Sequence, residues 1–298
     1  MNRPTKSGAI RVGLAGWDYA DWNGTVYPPG AGRGFDKLAW IARYVDAIEV
    51  NSSFYRPVRP AVAETWVQRT RALPEFRFSA KSHRSWTHEI EPDVRRAVAE
   101  TLDGLRPIRE AGRLGAVLVQ FPQRFHWNPG NAEHLERLAE LADGWPLVLE
   151  VRHISWQADD VADFLQRLGI GWCVVDQPRA SDASIDALER LTSPVGYVRL
   201  HGRNAKQWFR KEAGRDERYD YLYSLDELAP LAATAGSLAA QAAEVFVVQN
   251  NHFRGQALAN SLQLKHLLEG QRPKCPQRLV ETYPDLEPLV DVERETLF

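Results

Sequence analysis

Cysteine is nearly absent: the chain holds two, Cys173 and Cys275, far apart, the first inside an apolar run that reads as a buried strand. A disulfide framework or a zinc knuckle needs more sulfur at closer spacing, so neither is expected. An excess of either charge is also missing. Thirty-seven Lys and Arg stand against thirty-nine Asp and Glu, for a formal charge of −2. That excludes the strongly basic balance of a protein built mainly to coat nucleic acid, while local basic patches remain compatible with it. No apolar run approaches the length of a bilayer span, and residues 1–9 carry no apolar stretch of the kind a secretory leader needs. A soluble, cytoplasmic protein with no membrane partner is expected, and the Asn51-Ser52-Ser53 sequon then carries no weight. The first strand-to-helix turn, residues 13–22, has no G-x-G-x-x-G, and no H-x-H or H-E-x-x-H spacing occurs.

What is present is a repeating order. Short runs rich in Val, Ile and Leu recur, each followed by polar, Gly or Pro punctuation and then by helical spacing. The strand runs are residues 10–15, 47–50, 77–80, 116–120, 147–150, 171–175, 197–200 and 245–249. Helical spacing covers 36–44, 60–73, 92–111, 131–142, 158–168, 225–239 and 257–268, with a weaker stretch at 185–191. Pro60 and Pro92 suit a first helical turn, and Asp159 and Asp160 suit the positive end of a helix dipole. Near-continuous apolar strands alternating with helices indicate a parallel sheet with its outer face covered. Eight such units favour closure, so the expected fold is α/β, a single (β/α)8 TIM-type barrel, over a doubly wound open sheet. One domain over residues 1–298 is expected, with a barrel core at about 10–269 and a tail at 270–298, its Pro-rich part (273–288) lying on the barrel.

In such barrels, polar residues at the carboxyl ends of strands point into the site, while those at the other end serve stability. Reading the strand ends yields Trp17 and Asp18; Glu49 and Asn51; Lys81 and His83; Gln120; Glu150, Arg152 and His153; Asp176 and Gln177; Arg199, His201 and Arg203; and Asn250, Asn251 and His252. Every strand delivers an ionisable or hydrogen-bonding group, which a merely structural barrel does not need, because buried charge is costly unless paired. The bland alternative is a closed salt-bridge network over the core, Glu49 with Lys81 and Glu150 with Arg152 or Arg199. Aromatic residues crowd the same loops, among them Tyr19, Trp22, Tyr27, Phe54, Tyr55, Trp127 and Trp156, and most are expected to roof the core. Trp86 and Trp208, beside basic residues in long polar loops, are the two expected to face a ligand.

The ordered motifs at residues 13–27 (GLAGWDYADWNGTVY), 48–55 (IEVNSSFY), 78–88 (FSAKSHRSWTH), 118–125 (LVQFPQRF), 150–156 (EVRHISW), 175–176 (VD), 197–203 (YVRLHGR) and 249–252 (QNNH) are together specific. On these the chain resembles the YecE-like domain-of-unknown-function family of barrel proteins, over nearly its whole length. The resemblance implies a (β/α)8-type fold and no settled activity. Where family members commonly have Phe-Asn-Asn near the last strand, this chain has Gln249-Asn250-Asn251.

The chemistry such a ring supports begins with phosphate, which barrels often bind through the loops after strands seven and eight. Here those loops are residues 201–204 (HGRN) and 250–252 (NNH), with a Gly beside fork-shaped and amide donors. Lys206, Arg210, Lys211, Arg215 and Arg218 add positive charge, diluted by Glu212, Asp216 and Glu217; an ordinary solvated loop is the alternative for that run. The leading expectation is an enzyme, a hydrolase or lyase acting on a phosphorylated or sugar-like anionic ligand. Glu49, Glu150, Asp176, Lys81 and His201 are its candidate catalytic residues. The candidate ligand-binding residues are Trp17, Asn51, Tyr55, His83, Gln120, Arg152, Arg199, Arg203, Trp208, Asn250 and Asn251. No cofactor is identified; a divalent metal, Zn or Mn, on Glu49, Glu150, Asp176, His201 and His83 is an alternative, as is metal-free acid/base work by Glu49 and Glu150. The competing class is a protein that binds single-stranded or damaged nucleic acid, with loop aromatics stacking on bases and a basic rim tracking phosphates.

Overall fold

The apolar runs become strands where β-branched residues cluster between Gly, Pro and charged punctuation. The computed structural model describes residues 7–90, 93–178, 184–208, 210 and 214–294. β1 (Ala9–Ala15), β2 (Ala47–Val50), β3 (Arg77–Lys81), β4 (Leu114–Gln120), β5 (Leu147–Glu150), β6 (Gly171–Asp176), β7 (Val195–Leu200) and β8 (Glu244–Gln249) pair in chain order, all parallel. β8 pairs back onto β1 and closes the barrel. The fold is therefore the (β/α)8 type expected, with each strand within two residues of its sequence-based bounds.

Helices cover the outside: α1 (Lys37–Ile41), α2 (Pro60–Arg69), α3 (Arg95–Glu110), α4 (Pro129–Leu141), α5 (Asp160–Leu168), the short α6 (Ala205–Trp208) and α7 (Arg215–Arg218), then α8 (Leu225–Ala239) and α9 (Gln256–Glu269). Their starts follow local chemistry. Asp36 accepts from the Ala39 amide, Asn128 accepts from that of Asn131, and Ser224 with Glu227 forms a reciprocal capping box on α8. Gly169 and Gly270 end α5 and α9 in the left-handed conformation. Pro92 lies outside the described residues, and α3 begins at Arg95.

The weak helical spacing at 185–191 does not produce a helix. Its backbone groups find partners elsewhere: the Ile185 amide donates to the Arg152 carbonyl at 3.0 Å, and Trp172 Nε1 donates to the Leu188 carbonyl at 2.9 Å. Arg190 reaches over to the carbonyls of Trp156 and Gln157. Apolar periodicity there reflects one buried side of an irregular crossover. Beyond α9 the tail forms β9 (Lys274–Pro276), α10 (Gln277–Thr282) and β10 (Asp291–Glu293), the two strands pairing in parallel. Cys275, Leu279, Leu286 and Val290 bury in the same outer core as the helices.

Two cores follow from the period-2 alternation of the strands. The outward residues pack against the helices, and the inward ones, among them Ala15, Ala47, Ala116, Leu118, Val148, Cys173, Val175, Tyr197, Phe246 and Val248, fill the barrel. The inner residues are mostly small because two large rings, Tyr197 and Phe246, stack there with centroids 5.8 Å apart. Gly115 on β4 makes room for them: a Cβ at that position would stand 2.0 Å from Phe246 Cζ. Gly115→Ala is therefore expected to destabilise the fold by about 1–3 kcal/mol through overpacking. Gly236→Ala, on the exposed face of α8 with open space around it, is expected to gain about 0.5–1 kcal/mol. Urea denaturation of both variants checks this pair; equal effects would remove the packing explanation.

Candidate functional site

The inward parity that places Ala47, Val148 and Tyr197 inside the barrel continues upward, two residues at a time, to Glu49 on β2, Glu150 on β5 and Arg199 on β7. These three form the floor of the site. Arg199 Nε and Nη2 donate to the two oxygens of Glu49 at 2.9 and 2.6 Å, and its Nη1 donates to Glu150 Oε2 at 2.6 Å. Tyr197 Oη donates to Glu49 at 2.9 Å and is itself 2.7 Å from Ser79 Oγ. Both carboxylates are completely buried and Arg199 is 2% exposed. Burial raises the cost of ionising Glu150, but the Arg199 and Arg152 guanidiniums outweigh it and hold its carboxyl well below the usual carboxylate range. Burial likewise opposes the charge on Arg199, and the two carboxylates hold its pKa well above the ordinary value.

Above the floor a cavity of about 510 Å³ opens at the carboxyl ends of the strands. It is lined by Trp17, Asp18, Tyr19, Asn51, Phe54, Tyr55, Lys81, Gln120, Arg152, Arg199, His201, Tyr219, Asn250 and His252, with Gly16 and Ser52. Arg152 Nη2 donates to Glu150 Oε1 at 2.6 Å, and its Nη1 is bonded to Gln177. Lys81 is placed differently. Its Nζ donates to Gln120 Oε1 at 3.0 Å and sits 4.3 Å from the centroid of the Phe54 ring, and among the described residues no carboxylate pairs with it. Burial, seconded by the Arg199 charge and opposed by Glu49 and Glu150, brings its pKa down to about 8. His201 is fully buried and its pKa falls to about 3, first through burial and then through Arg152, so the ring is neutral. Asn250 Nδ2 lies 2.9 Å from its Nδ1, and its Nε2 lies 3.3 Å from Glu150 Oε1. Nε2 also lies 3.3 Å from Arg152 Nη2 and 3.4 Å from Arg199 Nη1, so this edge of the ring meets two guanidiniums as well as the carboxylate. Asn51 makes no side-chain hydrogen bond among the described residues, leaving its amide to the cavity.

Of the residues expected from sequence, Trp17, Asn51, Tyr55, Lys81, Gln120, Arg152, Arg199, His201 and Asn250 line this one cavity, and Glu49 and Glu150 lie directly beneath it. Others do not converge on it. Asp176 follows the inward Val175 and so faces outward, where Arg203 Nη2 donates to it at 2.8 Å and Tyr223 Oη at 2.5 Å. Arg203 is held there, with Glu227 as a second partner. Asn251, next to the inward Asn250, donates outward to the Tyr221 carbonyl and to Asn260 Oδ1. His83 caps a short turn through the Ser85 amide and hydroxyl. Trp86 is completely buried and is not part of the cavity lining. Trp208 packs edge-on to His201 at 5.8 Å and under the Arg152 guanidinium at 5.7 Å, outside the lining.

The loop after β7, expected to hold phosphate, has its donors engaged: the Gly202 amide on Tyr223 Oη, Arg203 on Asp176, and Asn204 on the Glu217 and Asp220 carbonyls. Of the basic run behind it, Lys211 and Glu212 lie outside the described residues, and Arg210 pairs with Glu217. The metal alternative gains no support: among the described residues no group of three or more His, Cys, Asp or Glu could hold an ion. The bland pairing expected for Glu150 with Arg152 and Arg199 is present, whereas Glu49 pairs with Arg199 and not with Lys81. Sequence reasoning passed over Ser79 and Tyr197, although each sits two residues below a chosen cation on the same face. It also missed Tyr219, which no strand-end rule could find.

A closed parallel barrel with a polar cavity at its carboxyl mouth defines a protein of the (β/α)8 class. The family model described as "Protein of unknown function DUF72" matches residues 11–284, and the chain belongs to that family. The resemblance drawn from the motifs thus holds as a barrel family of unknown function, under the DUF72 description. Among its relatives, the UPF0759 protein YunF of Bacillus subtilis (strain 168) is 30% identical over 275 residues, covering 87% of this chain and 95% of that one. A DUF72 family protein of Thermotoga maritima MSB8 superposes with a TM-score of 0.75 at 33% identity, over 88% of this chain and 99% of its own. A second, from Enterococcus faecalis V583, shares the fold at a TM-score of 0.76 and 24% identity, over 87% of this chain and 95% of its own. No helix among the described residues is long and apolar enough to cross a membrane.

The neutral His201 makes stability depend on pH. Its folded pKa of about 3 lies below the ordinary 6.5, so the unfolded chain binds an extra proton between those values. The contribution is complete above about pH 6.5 and is lost as acidification proceeds toward the folded value. His201→Gln keeps a donor and removes the titration. It is expected to flatten unfolding free energy against pH, between pH 6 and 4.5, by up to about 1.4 kcal/mol per pH unit. Parallel slopes for the two proteins in denaturant titrations would show that this imidazole is not held neutral.

Proposed function

We propose that this chain is an enzyme acting on a small anionic ligand, phosphorylated or sugar-like, bound in the cavity at the mouth of the barrel. The observation that carries this reading is the charge count of the site. Glu49 and Glu150 are matched by Arg199 and Arg152, and Asp18 at the rim is paired with Lys37 at 2.6 Å. Lys81 is the cation left over among the described lining residues. The field around it is positive as well. The pKa of His88, which packs edge-on against Phe54, is pushed down to about 4, first by burial and then by Lys81, Arg124, Arg152 and Arg84. An anion entering there meets one uncompensated charge, the free amide of Asn51 and rings suited to a sugar face at Trp17 and Tyr55.

Of the two reaction types considered, the floor favours a lyase over a two-carboxylate hydrolase. Glu49 and Glu150 are both completely buried and both are clamped by Arg199, so neither is free to donate a proton or attack a substrate. The nucleic-acid alternative retains Tyr55, a residue 68% exposed at the rim.

A thermal-shift series separates these readings. Inorganic phosphate and sugar phosphates are expected to raise the melting temperature of the protein and to lose that effect in Lys81→Met. A ligand at about 100 times its Kd adds about 2.7 kcal/mol. Stabilisation by oligonucleotides alone, steeply salt-dependent and lost in Tyr55→Ala, would replace the small-ligand reading with the nucleic-acid one. No shift with any phosphorylated compound would remove it.

A further inference from the structure

Lys81 has a position that an anion-holding lysine does not require. Among the lysines whose surroundings are described, Lys37, Lys265 and Lys274 each hold a carboxylate, on Asp18, Asp46 and Glu293. Lys206 stands exposed on α6. Lys81 ends β3 inside the barrel mouth, where one N–H is taken by the neutral Gln120 Oε1 and the Phe54 ring covers a side. Among the described residues no carboxylate is bonded to its ammonium; burial and the Arg199 and Arg152 guanidiniums act against the charge, and they outweigh the more distant pull of Glu49 and Glu150. An amine desolvated beside a second cation and facing a cavity is the arrangement that activates lysine as a nucleophile.

We propose that Lys81 is a covalent catalytic residue that forms an imine with a carbonyl carbon of the ligand. This rests on the reading of the cavity as an anion-binding enzyme site and names the substrate class: an aldehyde or ketone carrying an anionic group. In the step, the neutral Nζ lone pair adds to the carbonyl carbon and the C=O π pair moves to oxygen. That oxygen takes one proton from the nitrogen and one from solvent and leaves as water, giving C=N⁺H with no change in oxidation state. The iminium then withdraws electrons from the adjacent carbon, which is what carbon–carbon cleavage or proton removal next to a carbonyl requires. Arg199 and Arg152 cannot take this role, since their guanidiniums stay protonated.

With its pKa at about 8, about a tenth of Lys81 is free amine at pH 7, against well under a thousandth for an ordinary lysine. Trapping tests the idea directly. The full-length protein is incubated with glyceraldehyde 3-phosphate or with glyceraldehyde, reduced with sodium borohydride, and mapped by peptide mass. Borohydride delivers hydride to the iminium carbon and leaves a stable secondary amine. The expected result is an adduct on Lys81 at least tenfold above that on Lys206, faster with the phosphorylated aldehyde and suppressed by inorganic phosphate. Lys81→Arg, which keeps the charge, is expected to abolish the adduct while retaining the phosphate-induced thermal shift. Gln120→Glu, which supplies a carboxylate partner, is expected to slow trapping at pH 7 about tenfold.

Adducts spread evenly over the lysines, with the phosphate shift intact, would overturn the imine and leave the anion site standing. A Lys81 adduct formed equally fast with glyceraldehyde and indifferent to phosphate would support the imine and overturn the anion site.

Discussion

Everything at the mouth of this barrel depends on how Arg199 is held. Its three donor nitrogens are shared between Glu49 on β2 and Glu150 on β5, so one side chain from β7 ties together strands from three parts of the closed sheet. Two carboxylates and one guanidinium leave a net negative charge on fully buried groups, which would be costly alone. Arg152 removes it by pairing with Glu150 from above. The floor is then neutral overall, and the next cation on the inward faces, Lys81, is left without a paired carboxylate among the described residues. The reactive character assigned to Lys81 is thus a consequence of a network it does not join.

The same network explains the vertical division of the barrel interior. Below it the inward positions hold Ala15, Ala47 and Ala116 around the large Tyr197 and Phe246 rings, a packed apolar layer that tolerates little change in volume. Tyr197 is the link between layers: its ring stacks in the lower one while its hydroxyl donates to Glu49 in the upper. Glu49 therefore has its oxygens satisfied by Arg199 and Tyr197 together, which is how a fully buried carboxylate is accommodated. A network so completely bonded is rigid, and rigidity in the floor fixes the heights at which Lys81, His201 and Asn250 meet the cavity.

The fold was legible because its signals are local and repeated. Apolar runs of strand length alternate with capped helices, and eight of them favour a barrel. The stretch at 185–191 misled because amphipathic spacing records one buried side and cannot show that the Ile185 amide goes to the Arg152 carbonyl and that Trp172 claims the Leu188 carbonyl. For the site, proximity to a strand end was too coarse a criterion. Parity was the missing signal: Asp176 follows the inward Val175 and Asn251 follows the inward Asn250, so both point out, whereas Ser79 and Tyr197 share the inward face of Lys81 and Arg199. Which acid takes which base was legible only in part: Glu150 takes Arg152 and Arg199 as expected, and Glu49 does not take Lys81. Glu49 and Lys81 are on adjacent strands, yet Glu49 reaches across the barrel to Arg199, a pairing set by side-chain length and not by strand order.

The direction from which an anion approaches is a matter of which donors are already engaged. Barrels commonly hold phosphate between the loops after strands seven and eight, and the Gly202-Arg203 turn here has the residues for it. Its capacity is consumed locally, however: Tyr223 accepts from the Gly202 amide and donates to Asp176, and Asp176 with Glu227 holds Arg203. That satellite network braces the long connection leading to α8 and leaves the Gly202-Arg203 turn with its charge already engaged. Positive charge is felt instead over β3 to β5, where Lys81 and Arg124 stand near His88, Arg152 and Arg84 there being paired with Glu150 and Glu89. A carbonyl ligand with its anionic group drawn to that side would lie across the Lys81 amine, with Trp17 and Tyr55 against its remaining length.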